Sequence, residues 1–170
     1  LGTRGTFVAF SIALLIGAVA GITKEWGVVR ALKYAALLVI VSGIAALDSS
    51  GIVKAAPGLV YETESPYNYI QVIDDADGWR LLTVNEGEAY QSAYRIDRVL
   101  TGGIWDLFLI APYFASPDAP RSLLMIGLAA GTTAREYTLV YGPIPIDGVE
   151  LDPAIIAVGQ NYFAMNQSNL

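Results

Sequence analysis

The sequence contains neither cysteine nor histidine. Disulfides, thiolate nucleophiles, Cys/His zinc sites, histidine-ligated haem and every triad that uses imidazole as base are therefore excluded. Charge is scarce as well: 15% of the 170 residues are charged, against roughly a quarter in a soluble domain. Basic residues number 10 and acidic ones 16, so a basic footprint for nucleic acid is lacking. Apolar character is abundant instead, with 54% hydrophobic residues and a mean hydropathy of +0.49.

The charges divide the chain. Residues 1–50 hold four basic and two acidic residues, whereas residues 51–170 hold six and fourteen. Residues 6–22 carry no charge, and residues 34–47 are equally apolar. Roughly 20 helical residues cross about 30 Å of hydrocarbon. The second run reaches that length when residues 28–33 join it and Arg30 and Lys33 snorkel to the interface. Residues 1–50 are thus expected to form a transmembrane helix hairpin, in a multi-pass cell-membrane protein with the lipid bilayer as a partner. A cleaved signal peptide fits less well, because the second apolar run follows so closely.

Gly17 and Gly21 form a G-x-x-x-G pair that lets backbones approach. It is expected to pack on the second helix, with docking into a membrane complex or homo-oligomer as the alternative. Lys24, Arg30 and Lys33 place the 23–33 connection in the cytoplasm and residues 51–170 outside. The chain begins at Leu1 rather than Met, so residues are expected before it.

Residues 51–100 read as a linker and a β-strand domain. Ser, Gly and Pro break any period over 48–58. Tyr67–Asp74 and Trp79–Val84 are rich in aromatic and β-branched residues and flank Asp77-Gly78, a two-residue hairpin signal. A third strand is expected at Ala89–Tyr94. Asp74, Asp75 and Asp77 resemble a calcium loop in composition, but no Glu completes the 12-residue pattern, and no metal site is expected.

Residues 101–170 alternate helix and strand. Ile104–Phe114 reads as a helix despite Pro112, with Trp105, Phe108, Tyr113 and Phe114 as core. Ser122–Ile126 reads as a strand buried on both faces, Thr132–Tyr141 as a helix, Ile144–Leu151 as a strand and Pro153–Phe163 as a helix capped by Asp152. Strand, helix, strand, helix with short links is the start of a parallel α/β sheet. The fold class is therefore α/β: two transmembrane helices, a small antiparallel β unit, then a partial Rossmann-like nucleoside-binding domain.

Chemistry concentrates between the first parallel strand and its helix, at Gly127-Leu128-Ala129-Ala130-Gly131-Thr132. Glycines at such a turn let a ligand approach the backbone, and the helix amides point toward it. Glu150 follows Gly131 by 19 residues, at the end of the next strand, where a carboxylate accepts both hydroxyls of a ribose. Ala129 stands where G-x-G-x-G has its middle glycine, so one methyl group faces the ligand side.

Three stretches together resemble the spermidine synthase (aminopropyltransferase) family, in particular its membrane-fused, synthase-like branch. They are Glu64-Ser-Pro-Tyr-Asn-Tyr-Ile-Gln-Val72, Gly127-Leu-Ala-Ala-Gly-Thr-Thr-Ala-Arg-Glu136 and Asp147-Gly-Val-Glu-Leu-Asp-Pro153. The resemblance spans about residues 60–165. It implies a small β domain before an AdoMet-methyltransferase-type fold, with decarboxylated S-adenosylmethionine donating an aminopropyl group to putrescine and no further cofactor. Gly127 and Gly131 then match the glycine loop and Glu150 the ribose-binding acid. Asn68 stands where the family has a nucleoside-reaching Gln, and Gln91 matches a second Gln with a one-residue gap.

The departures bear on activity. The family's Tyr-Gln-Glu or Tyr-His-Glu segment has no counterpart, since Gly103-Ile-Trp-Asp-Leu107 stands there, and the family's catalytic Asp falls beyond Leu170. The attacking amine must be neutral, and carboxylates orient it and accept its proton. No catalytic residue is assigned, and this chain by itself is expected to be inactive. A non-catalytic accessory subunit of a membrane complex is the alternative reading. AdoMet-type nucleosides are cytoplasmic, in conflict with the loop charges, so the side of the soluble part stays open.

Overall fold

Residues 2–47, 53–85, 87 and 89–170 are described by the computed structural model. They fall into two units, residues 1–55 and 56–170. In the first, apolar side chains along nearly every face leave the backbone to satisfy itself, which a helix does within one segment. Helix α1 covers Gly2–Trp26 and α2 covers Val28–Leu47. Both contain a stretch long and apolar enough to cross a membrane, Gly5–Trp26 and Val28–Ala45. The connection expected over 23–33 is reduced to Gly27, whose φ of +84° turns the chain while its amide still donates to Thr23 O.

The helices pack on each other with Ala31 buried between them. Gly17 and Gly21 do not take part: a Cβ at either would meet nothing within 4 Å. The expectation that this pair seats α2 is therefore corrected.

The second unit opens with a four-stranded antiparallel sheet in the order β1-β2-β3-β4. Its strands are β1 (Leu59–Glu64), β2 (Tyr69–Asp74), β3 (Arg80–Val84) and β4 (Tyr90–Tyr94). The sequence reading missed β1, an edge strand whose Glu62 and Glu64 blur the apolar alternation, as charges on edges do. The β2–β3 connection is longer than the two-residue turn expected from Asp77-Gly78. It spans 75–79, where Asp75 Oδ1 accepts from the amides of Asp77 and Trp79 and Gly78 supplies a φ of +82°.

Helix α3 (Ile104–Phe108) is followed by a 3-10 turn at Ala111–Phe114 rather than one helix over 104–114. Pro112 lacks an N–H and disfavours a helical residue before it, which breaks the run. Phe114 is 87% exposed and Tyr113 half-exposed, so the expectation that these aromatics are core is corrected.

Strands β5 (Leu123–Ile126) and β6 (Ile146–Val149) pair in parallel, joined through α4 (Thr132–Tyr141) and followed by α5 (Pro153–Tyr162). Asp152 caps α5 by accepting from Ala154 N at 2.9 Å. Leu124 and Ile126 are largely exposed, so β5 is buried on one face only, not on both.

Two apolar clusters hold the second unit together. Ile70, Val72 and Leu82 of the antiparallel sheet meet Ala130, Ile155, Val158 and Phe163. Leu109, Leu128, Ala134, Tyr137, Ile146 and Met165 form the other. The bend between β5 and α4 contributes to both, which fixes its position.

Candidate nucleoside site

Three residues of the bend adopt left-handed backbone within five positions: Gly127 (φ +86°), Ala129 (φ +50°) and Gly131 (φ +83°). The two glycines serve different ends. Beside Gly127 a Cβ would meet nothing within 4 Å, so this face is open to a ligand. At Gly131 a Cβ would stand 2.7 Å from Met165 Cγ, so this glycine exists for packing. Ala129 carries a side chain in a region that costs an L-residue free energy.

The bend's amides are already engaged. Gly127 and Leu128 donate to Val149 O at 2.9 and 3.1 Å, and Ala130 donates to Ser92 Oγ at 2.9 Å. Ala129 N donates to Glu150 Oε2 at 2.9 Å, and Asp152 N donates to Glu150 Oε1 at 3.1 Å. Each carboxylate oxygen of Glu150 thus has one amide donor. A carboxylate has about four lone-pair sites, so acceptor capacity for two hydroxyls remains. The strand-end acid and the glycine bend form one structure, with the half-buried Glu150 held at its edge.

Beside the bend lies a cavity of about 350 Å³, lined by Gln91 and Ser92 of β4, Trp105 and Phe108 of α3, Met125, Gly127, Ala129, Thr132 and Tyr137 among others. Tyr137 and Tyr141 hydroxyls donate to Phe108 O (2.7 Å) and Leu109 O, which pins the aromatic wall to α4. Thr132 lines the cavity too, but its hydroxyl accepts from Ala93 N at 2.9 Å and donates to Ala93 O at 3.0 Å. That pair of bonds staples α4 to β4.

Gln91 occupies a β-bulge. The β3–β4 register runs Leu82↔Ser92 and then Thr83↔Tyr90, leaving Gln91 as the extra residue. A bulge re-aims a side chain.

Asn68 sits elsewhere. Its Nδ2 donates to Asp152 Oδ2 at 2.9 Å, beside the Ser65 hydroxyl at 2.6 Å. Burial pushes the Asp152 carboxyl up, but donation from Ser65, Asn68 and the amides of Ala154 and Ile155 holds it below the usual carboxylate value. Asn68 therefore reaches Glu150 only through Asp152.

The structure thus gathers Gln91, Gly127, Ala129 and Thr132 around one cavity, and Glu150, which does not line it, is bonded to Ala129. Gly131 packs against Met165, and Asn68 is bonded to Asp152 instead. Sequence reasoning missed Ser92, Ser65 and the second role of Asp152, because hydrogen bonds between segments far apart in the chain leave no local pattern. The exception is Asp152-Pro153, whose helix-start signal marked the position without showing its partners.

A buried acid, Glu136, lies four residues after Thr132 and so on the same face of α4. Glu136 is 0% exposed, and neither carboxyl oxygen has a hydrogen-bond partner among the described residues. Burial, reinforced by the neighbouring Asp106 carboxyl, pushes it up to about 8. Asp106 in turn closes the 101–103 loop by accepting from Thr101 N, Thr101 Oγ1 and Gly102 N at 2.7–2.9 Å. No group of three or more acidic side chains suited to a metal is present among the described residues.

No family model matches the chain. A curated protein of Bifidobacterium longum (strain NCC 2705), described as a probable polyamine aminopropyl transferase, is 39% identical over 105 residues, covering 62% of this chain. The chain spans 23% of that relative's length. A probable spermidine synthase from Corynebacterium glutamicum ATCC 13032 shares the fold with a TM-score of 0.52 at 17% identity, over 68% of this chain and 43% of that one. The sequence identity and the shared fold together support a likeness to the spermidine synthase family, over part of the length of these two proteins.

Proposed function

We propose that this chain supplies the nucleoside-binding part of a membrane-anchored aminopropyltransferase, with decarboxylated S-adenosylmethionine as the ligand. The observation that carries this reading is the bond to Glu150 Oε2 at 2.9 Å from the amide of Ala129, which lines the cavity together with Gly127. In this reading the Glu150 carboxylate accepts the two ribose hydroxyls, the open face at Gly127 admits the sugar, and the Trp105–Phe108 wall covers apolar parts of the ligand. Gln91, re-aimed by its bulge, offers an amide to the same space.

Aminopropyl transfer joins the acceptor amine nitrogen to the carbon on sulfur, breaks the carbon–sulfur bond and releases methylthioadenosine, while the amine loses a proton to a base. We assign that base to no residue of this chain, and the chain alone is expected not to form spermidine. The two apolar helices support the anchoring part of the proposal by length and composition.

Calorimetry with methylthioadenosine tests the reading. The unaltered chain should release heat on binding, and Glu150→Gln, which keeps the shape and removes the charge, should weaken binding at least tenfold. Hydrogen bonds to charged groups contribute about 1.5–3 kcal/mol each. Equal heats from both proteins would remove the ribose role.

A further inference from the structure

The turn of the helix hairpin gathers two aromatic and two basic side chains. Trp26 closes α1, Gly27 reverses the chain, and Arg30, Lys33 and Tyr34 follow within the first two turns of α2. Residues three and four apart share a helix face, so Arg30 lies beside both Lys33 and Tyr34. The four side chains line a single cavity of about 310 Å³, and all four are exposed.

Neither Arg30 nor Lys33 has a carboxylate partner among the described residues. Across 24–33, Lys24, Arg30 and Lys33 stand against the single acid Glu25. The first turn of α2 contains no acidic residue, so its positive end is not neutralised locally.

From this geometry we infer that the hairpin turn binds the phosphate of an anionic phospholipid headgroup. The inference rests on the reading that α1 and α2 cross the membrane. A planar guanidinium grips a phosphate with two parallel donors, and an ammonium adds a point charge. Trp and Tyr rings are amphipathic and settle at headgroup depth. Basic pockets at the end of membrane helices are suited to acidic headgroups. A lipid rather than a dissolved anion is favoured because the cavity lies at the end of two apolar spans, which sets it where headgroups are.

The test uses the full chain in phosphatidylcholine nanodiscs, titrated with short-chain phosphatidylglycerol and read by native mass spectrometry. Phosphatidylglycerol should be retained in preference to phosphatidylcholine. The double variant R30Q/K33Q should weaken that retention about 30-fold, the product of two basic contacts at a membrane surface. Inorganic phosphate at the same concentration should not displace the lipid.

Equal retention by R30Q/K33Q, or displacement by inorganic phosphate, would overturn the site. Alkaline carbonate extraction of the same protein separates the two layers of the argument. If the chain stays in the membrane while retention ignores Arg30 and Lys33, the headgroup site alone fails. If carbonate strips the chain out, the spanning reading falls and the site falls with it.

Discussion

The amide of Ala129 and the carboxylate of Glu150 meet at 2.9 Å, joining the bend after β5 to the end of β6. The two strands run in parallel register, with Ile126 opposite Val149, so the residues just beyond them come together at one end of the sheet. Ligands of open α/β sheets bind outside the carboxyl ends of the strands. The contact therefore arises from the fold, and the proposed ribose role of Glu150 builds on it.

Ala129 holds a φ of +50° with a side chain attached. Replacing it with glycine should relieve about 1 kcal/mol of backbone strain. For a unit of this size that corresponds to a rise in Tm of about 4 °C, measurable by differential scanning fluorimetry. A lower Tm for Ala129→Gly would show that the methyl group's packing outweighs the strain.

Glu136 gives the second unit a pH dependence. Its folded value, about 8, lies above the ordinary carboxylate range, so the folded state binds a proton that the unfolded state has released. The contribution is fully present below the unfolded value of about 4.3 and is lost as pH rises toward 8. Stability against urea should fall across that window by on the order of a few kcal/mol relative to Glu136→Gln. Parallel pH curves for the two proteins would contradict the buried, protonated acid.

Asp152 titrates in the opposite sense. Its carboxyl is held below the ordinary value, so its contribution is present above about pH 4 and is lost as pH falls through the folded value. Asp152→Asn should cost about 2 kcal/mol at neutral pH, since it disturbs a helix cap and the partners of Ser65 and Asn68. Chemical denaturation at pH 7 reads this directly, and an unchanged midpoint would remove Asp152 from the structural role given to it.

Much of this architecture was legible in local patterns. The uncharged run 6–22, the Asp152-Pro153 helix start and the apolar stretch ending in Gly127 each announce an element within a few residues. Glu150 was legible through its spacing from the bend. Features made by distant segments were not. The Ser92 hydroxyl under Ala130, the Thr132 staple to Ala93 and the Asn68–Asp152 bond each join residues at least 38 apart in the chain. The bulge at Gln91 depends on its pairing with β3, and the exposure of Ile126 on which layers cover the sheet.

The central claim is that Glu150 receives a ribose at the edge of the glycine bend. A structure of the chain with methylthioadenosine bound tests it most directly. The account predicts both ribose hydroxyls at about 2.5–3.0 Å from the Glu150 carboxylate, with the sugar against Gly127. A nucleoside seated elsewhere, with Glu150 touching only the amides of Ala129 and Asp152, would contradict it.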